Sequence, residues 1–123
     1  MGLLQWIAKR RLAERVSYCL GVLDSGEEAI DSQTSLFRTR QGWVEGYLLL
    51  TSRRVVFAPL PIATWNCEMP LEATYGITRA GGSAATAGMS HIWTVEVAGD
   101  GGLVTIVLDT TASFVAVWVD LLP

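Results

Sequence analysis

The sequence predicts a mainly β domain, in which about seven short antiparallel strands form a bent, partly open sheet closed by a C-terminal helix. Three observations support this fold class. An apolar pattern of helical period occupies the N-terminal segment, a two-residue alternation occupies most of the middle of the chain, and a second helical pattern ends it. With 123 residues, of which 50% are hydrophobic, the chain is long enough for one domain with a substantial core.

The N-terminal segment, residues 1–24, predicts an added amphipathic helix from Leu3 to Leu23. The apolar stripe of its second half consists of Leu12, Val16, Cys19, Leu20 and Leu23. This half is expected to dock on the domain, because an apolar stripe of this kind faces a core. The first third differs, since Leu3, Leu4 and Ile7 cluster on another side. The turn "DSGEE" then ends the helix.

Residues 25–123 are expected to form the domain itself, and they begin with the alternation of half-buried strands. The predicted strands cover residues 29–39, 44–51, 54–58, 66–71 and 74–79, and a flexible loop is predicted over residues 80–90. The alternation assigns Leu48, Leu50, Val55 and Phe57 to the core. Gly46 is expected to allow a sharp bend or a close approach of the backbone.

The last third, "IWTVEVAGDGGLVTIVLDT", predicts a β-hairpin with a glycine-rich turn. Trp93, Val95 and Val97 are expected to share a face with Val104, Ile106 and Leu108 across it. Asp109, Thr110 and Thr111 are suitable N-caps for a closing helix with a stripe of Phe114, Val117, Trp118 and Leu121. The residues predicted to carry the core are Gly46, Leu48, Leu50, Phe57, Trp93, Phe114 and Trp118.

The stretch "EGYLLLTSRRVVF" resembles the strand hairpin of GRAM domains and their bacterial pleckstrin-homology-like relatives. The pattern typical of that family, G-x-L-x-L-T-x-x-R-hydrophobic-hydrophobic-F, is matched by Gly46, Leu48, Leu50, Thr51, Arg54, Val55, Val56 and Phe57. "SGEEAI" is similar to the start of the family's first strand, and "MPLEATYGI" is similar to a later one. Ser52, where the family has Asn, and the added helix depart from the pattern. The resemblance covers residues 25–122 and implies a pleckstrin-homology-like binding domain.

The residues offer no catalytic set, so no enzyme, cofactor or metal site is expected. The single histidine, His91, is expected at the surface, and the neighbouring acids Glu27 and Glu28 lie at a predicted turn, where they are expected to be solvated. Arg54 is expected to pair with Glu45 or with nothing. Cys19 and Cys67 have no metal-ligand spacing and are expected to be reduced thiols in a cytoplasmic protein, with a single disulfide as the alternative.

Charge is divided unevenly along the chain, because residues 1–16 carry a net charge of +3 and the remainder carries −6. An acidic body repels the phosphate backbone, so nucleic acid is not expected as a partner. In pleckstrin-homology-like domains, basic residues around the first strand pair hold phosphoinositide headgroups, and the resemblance implies this role for Arg38 and Arg40, with Arg53 and Arg54 at the next turn. Together with the basic front of the helix, the candidate contacts with a membrane or phosphate are Trp6, Lys9, Arg10, Arg11, Arg15, Arg38, Arg40 and Arg53.

Three partner classes therefore remain: an anionic lipid or membrane surface, a protein or peptide, and further copies of the chain. The sequence favours a non-catalytic adaptor, peripheral on the inner face of a membrane or held in a complex. The alternative is a structural or oligomeric subunit without lipid binding. The adaptor needs the front of the helix exposed, whereas the subunit needs Leu3, Leu4 and Ile7 buried. An apolar-ligand carrier is disfavoured by the bulky side chains expected inside the barrel.

Overall fold

The computed structural model describes residues 2–61, 63–82 and 90–123. The helices are α1 (Leu3–Leu20) and α2 (Ala112–Leu121). The strands are β1 (Ala29–Thr39), β2 (Gly42–Thr51), β3 (Arg54–Pro59), β4 (Cys67–Pro70), β5 (Thr74–Gly82), β6 (Ser90–Gly99) and β7 (Gly102–Thr111). A single 3-10 turn, Leu71–Ala73, joins β4 to β5. This architecture confirms the predicted fold class.

The seven strands form one antiparallel sheet in the order β4-β3-β2-β1-β7-β6-β5. β1 pairs with β2 along its whole length, but it pairs with β7 only at Leu36 and Phe37. The sheet is therefore divided at β1 into a four-stranded half and a three-stranded half. The two halves enclose the main core, because buried residues of β2, β3, β4, β6 and β7 belong to one cluster.

That core contains most of the side chains that alternation assigned to it. Leu48, Leu50, Phe57 and Leu108 are fully buried. Phe114 and Trp118 add aromatic rings from α2, with ring centroids 6.2 Å apart. Trp93 lies only half-buried at the margin, and its indole N–H donates to the Thr110 carbonyl at 3.1 Å. Bulky side chains thus occupy the space between the sheet halves.

Gly46 has the close backbone approach that was expected of it. A Cβ at this position would collide with the Ala58 carbonyl oxygen and would lie 2.5 Å from the Phe57 ring. The missing side chain leaves room for that ring, which stacks on Phe37 with centroids 4.9 Å apart. Trp65, from the loop between β3 and β4, stacks on Phe57 in turn.

α1 packs on the outer face of the sheet, where it builds a second apolar cluster with β2 and β3. Cys19 is buried there against Leu49, Val56 and Ala58. Leu12, Val16 and Leu20 pack at its edge, as the stripe predicted. The helix ends at Leu20, earlier than the predicted Leu23, because Gly21 has a positive φ of 74° and turns the chain away.

α2 begins at the N-cap Thr111, whose hydroxyl oxygen accepts a hydrogen bond from the Phe114 N–H at 3.3 Å. The predicted stripe of α2 was half wrong. Val115 is buried beside Phe114 and Trp118, whereas Val117 and Leu121 are 37% and 36% exposed. The side that α2 buries therefore centres on Phe114, Val115 and Trp118 and differs from the predicted i, i+3, i+4, i+7 stripe.

Smaller differences concern the bounds of two strands. β4 is shorter than the predicted strand over residues 66–71, because the 3-10 turn begins at Leu71. β5 continues to Gly82, so it includes the first residues of the predicted loop, and Ser90 already belongs to β6. The rest of that loop, residues 83–89, lies outside the described residues.

Candidate binding surfaces

The turn between β2 and β3 is held by a buried ion pair that sequence reasoning missed. Arg54 donates from Nε to Glu27 Oε2 and from Nη2 to Glu27 Oε1, both at 2.8 Å. The Thr51 hydroxyl donates to Glu27 Oε2 at 2.6 Å, and its oxygen accepts from the backbone N–H of Arg53 at 3.1 Å. Thr51 and Arg54, two polar residues of the GRAM-like pattern, thus fasten the hairpin to the segment before β1.

Hydrogen bonds from Arg54 lower the pKa of Glu27 to about 2, against a desolvation that would raise it. The same contacts raise the pKa of the Arg54 guanidinium, so both groups stay charged at neutral pH. Further acids approach Arg54, with Asp24 at 3.6 Å and Glu68 at 3.4 Å. Arg54 is therefore committed to the fold.

Two expectations about these residues were wrong. Arg54 pairs with Glu27, because Glu45 lies on the part of β2 that faces Leu36 and precedes Gly46, far from this turn. The Glu27 side chain is fully buried, whereas solvation had been expected. The sequence signal was present in "SGEE" and "TSRR", but only the pairing of β1 with β2 brings the two motifs together.

The candidate phosphate contacts Arg38, Arg40 and Arg53 do not converge. Arg38 and Arg40 are exposed at the turn between β1 and β2, where the Arg38 guanidinium lies 5.5 Å from the centre of the Trp43 ring. Arg53 lies at the other end of β2, where its Nη2 donates to the Ser25 carbonyl at 2.8 Å. A ten-residue strand spans about 30 Å, so one headgroup cannot contact both places.

The candidate contacts on α1 fall into two groups. Arg15 is part of the docked half, since its Nη1 donates to Ser32 Oγ at 2.8 Å and its guanidinium lies 5.0 Å from the centre of the Tyr47 ring. Tyr18 reinforces the docking with a hydrogen bond of 2.5 Å to the Pro59 carbonyl. Arg15, which was predicted as a membrane or phosphate contact, is therefore engaged with the sheet.

The front of α1 is exposed. Leu3, Leu4 and Trp6 are 71%, 83% and 57% exposed, and Ile7 is half-buried. Lys9, Arg10 and Arg11 follow, all exposed, with Arg10 lying 5.4 Å from the centre of the Trp6 ring and 3.4 Å from Glu14. We call Leu3, Leu4, Trp6, Lys9, Arg10 and Arg11 the helix front. Within the described part of the chain, no helix is long and apolar enough to cross a membrane.

Comparisons with known proteins bear on the fold. No family model matches the chain, and no curated protein sequence does either. One similar solved structure is the hSac2 domain from the human phosphoinositide phosphatase Sac2, with a TM-score of 0.59, 12% identity, and coverage of 98% of this chain and 81% of that one. Another is the C-terminal domain of an unknown protein from Leishmania infantum, with a TM-score of 0.56, 15% identity, and coverage of 98% and 100%.

At these identities the likeness concerns the fold alone. The seven-stranded antiparallel sheet and its closing helix are consistent with a pleckstrin-homology-like fold. The chain therefore has a pleckstrin-homology-like fold with an added N-terminal helix, as the sequence predicted.

Proposed function

We propose that this protein is a non-catalytic binding domain whose helix front attaches it to an anionic membrane surface. One observation carries the proposal: the helix front combines exposed apolar side chains with three cations, while the second half of the same helix is fixed to the sheet. An apolar tip that the domain does not bury, followed by basic residues, is typical of a reversible interfacial anchor.

The expected strength of this anchor is modest. Lys9, Arg10 and Arg11, less the opposing Glu14, contribute roughly 2 kcal/mol near an anionic leaflet, at about 1 kcal/mol for each net charge. Partial insertion of Leu3, Leu4 and Trp6 adds a few kcal/mol more. A total of about 5 kcal/mol corresponds to a dissociation constant between millimolar and micromolar. Stable recruitment then needs further contacts, for which the exposed Arg38, Arg40 and Arg53 are the candidates.

Flotation with vesicles tests the proposal. The full chain is mixed with vesicles of phosphatidylserine and phosphatidylcholine, or of phosphatidylcholine alone, at low and at high salt. Binding to the anionic vesicles alone, weakened by salt, is the expected result. Trp6→Ala and Arg10→Glu should each reduce it severalfold.

β5 offers matched controls. Tyr75 is a 69% exposed aromatic residue, and Arg79 is an exposed cation. Tyr75→Ala and Arg79→Glu change the same kinds of side chain away from α1, so they should leave flotation unchanged. Equal loss in the control variants, or no binding to any vesicle, would contradict the membrane anchor.

A second candidate function is that of an oligomeric subunit, and the outer side of α2 favours it. Val117, Val119 and Leu121 are 37%, 46% and 36% exposed on a helix whose one charged residue is Asp120. A helix apolar on most sides is usually covered. Sedimentation velocity at rising concentration tests this candidate, since self-association that Val119→Lys abolishes would support it and a constant monomer would rule it out.

A further inference from the structure

The N-terminal half of β1 has one free edge. β1 is bonded to β2 on one side from Ala29 onward, but on the other side the ladder with β7 contains only Leu36 and Phe37. Among the residues that the structure describes, no strand pairs with Ala29–Ser35 on that second side. Free strand edges are places where an extended chain adds to a sheet.

Side chains occupy part of this edge. The Ser32 N–H donates to Asp31 Oδ1 at 2.8 Å, and the Ser32 carbonyl accepts from Arg15 Nη1 at 3.3 Å. Groups that would bond to a neighbouring strand are thus satisfied by the side chains of Asp31 and Arg15. Unlike a backbone ladder, a guanidinium at 3.3 Å is a weak and exchangeable partner.

α1 lies beside this edge, and the two elements form a groove of about 380 Å³. Its lining residues are Ala8, Lys9, Arg11, Leu12, Arg15, Ile30, Asp31 and Ser32. Three cations thus face one acid, and Ile30 offers an apolar side chain that is 36% exposed. A volume of this size is in the range of protein ligand sites.

We propose that this groove binds an extended acidic peptide of a partner protein, which adds as a strand to the free edge of β1. Charge complementarity favours an acidic peptide, because the groove is lined by the three cations Lys9, Arg11 and Arg15 and by one acid, Asp31. The Arg15 guanidinium would transfer from the Ser32 carbonyl to a carboxylate of the peptide. The Ser32 carbonyl would then accept from the peptide backbone.

This site shares Lys9 and Arg11 with the helix front, but its other lining residues lie outside that surface. With 3.6 residues per turn, Ala8, Arg11 and Arg15 lie on a flank of α1 next to β1, whereas Leu3, Trp6 and Arg10 lie on the side away from the docked stripe. Because Lys9 and Arg11 belong to both surfaces, variants of Arg10 or Trp6 test the membrane surface alone, and variants of Ile30 test the groove alone. The two proposals can fail independently.

Fluorescence anisotropy with the full chain tests the groove. The probe is a labelled, end-capped peptide of alternating Glu and Val, and the comparison peptide alternates Lys and Val. We expect saturable binding of the Glu peptide, weakened by salt, and none of the Lys peptide. Arg11→Glu should weaken binding by about tenfold, while Arg79→Glu, with the same change of charge on β5, should leave it unaltered.

Two further measurements establish the binding mode. Methylation of alternate backbone nitrogens of the Glu peptide should abolish binding, because strand addition needs those donors. Amide NMR shifts should move at Ile30, Ser32 and Thr34 and stay constant at Thr78 and Arg79 of β5. Shifts confined to β5, equal binding of both peptides, or no binding at millimolar peptide would each overturn the proposal.

Discussion

At the scale of single residues, the polar positions of the GRAM-like pattern serve the fold. Thr51, Arg54 and Glu27 form one buried network at the turn between β2 and β3, with three side-chain contacts of 2.6 to 2.8 Å. A motif of this kind is conspicuous in a sequence because its residues are polar and closely spaced. In this protein these residues hold the hairpin of β2 and β3 in place, so any ligand must be contacted by other residues.

Replacement of Glu27 should destabilise the protein strongly. Glu27→Gln leaves a mostly buried Arg54 with only its weaker acidic neighbours, so we expect a loss of about 3 kcal/mol in the free energy of unfolding. Urea denaturation at pH 7 measures it. The control is Glu28→Gln, an exposed change next to it, which should stay within about 0.5 kcal/mol of the parent. Equal stability of both variants would refute the structural role.

The same pair predicts an acid-sensitive stability. The pKa of Glu27 is lowered from 4.5 to about 2, so its contribution is complete above pH 4.5 and is lost as the pH falls toward 2. Over that window the unfolding free energy should fall by on the order of 3 kcal/mol in the parent. In Glu27→Gln this part of the decline should be missing, which urea titrations between pH 5 and 2 would reveal.

Gly46 predicts a third effect at the residue scale. Gly46→Ala places a Cβ against the Ala58 carbonyl and the Phe57 ring, neither of which has free space to move into. Overpacking of this kind costs about 1 to 3 kcal/mol. Gly76→Ala in β5 is the matched control, because nothing lies within 4 Å of the added carbon. Thermal unfolding should separate the two variants, and identical midpoints would show that the close approach relaxes.

At the scale of elements, both helices are divided between packing and exposure. α1 docks through Cys19 and its neighbours while its front stays exposed. α2 buries Phe114 and Trp118 between the sheet halves and leaves Val119 46% exposed. The front of α1 extends beyond its contact with the sheet, and the outer side of α2 exposes apolar side chains. We place membrane binding on the first of these surfaces and self-association on the second.

Replacement of Trp118 tests whether α2 is needed to stabilise the folded sheet. Trp118→Ala removes a fully buried indole, and changes of this class cost about 3 to 5 kcal/mol, a large share of the stability of a small domain. We therefore expect an unfolded or aggregating product by near-UV circular dichroism and gel filtration. Val117→Ala, at a 37% exposed position of the same helix, should fold normally. A well-folded Trp118→Ala protein would contradict this role of α2.

At the scale of the whole molecule, the exposed cations are distributed over separate places. Arg40 and Arg53 lie at opposite ends of β2, about 30 Å apart, and the helix front is a third place. The arrangement suits a broad anionic surface better than a single small headgroup, because only an extended surface contacts several separate charges at once.

This separation predicts additive effects. Distant sites without shared partners contribute independently, so the loss of vesicle binding in Arg40→Ala with Arg53→Ala should equal the sum of the single losses within about 0.5 kcal/mol. Partitioning onto phosphatidylserine vesicles, measured by sedimentation at several lipid concentrations, provides the three values. A large coupling between the two arginines would show that they share one ligand, contrary to the observed geometry.

The sequence by itself determined the elements of this protein and most of its core. The two-residue period predicted the burial of Leu48, Leu50 and Phe57, and the helical period predicted the packing of Leu12, Val16 and Cys19. Both periods follow from local backbone geometry, so they can be seen in the sequence itself. Turn glycines and the N-cap Thr111 are local in the same sense.

Only the tertiary structure decided which residues meet. Glu27 bonds to Arg54, which is 27 residues further along the sequence, because the strands pair. Arg15 bonds to Ser32, which is 17 residues further, because α1 docks on the sheet. The tertiary structure also showed that Arg38 and Arg53 lie near opposite ends of β2, and that β1 pairs with β7 at only two residues. These are long-range contacts, and neither the period nor the spacing of residues along a chain specifies how its elements pack.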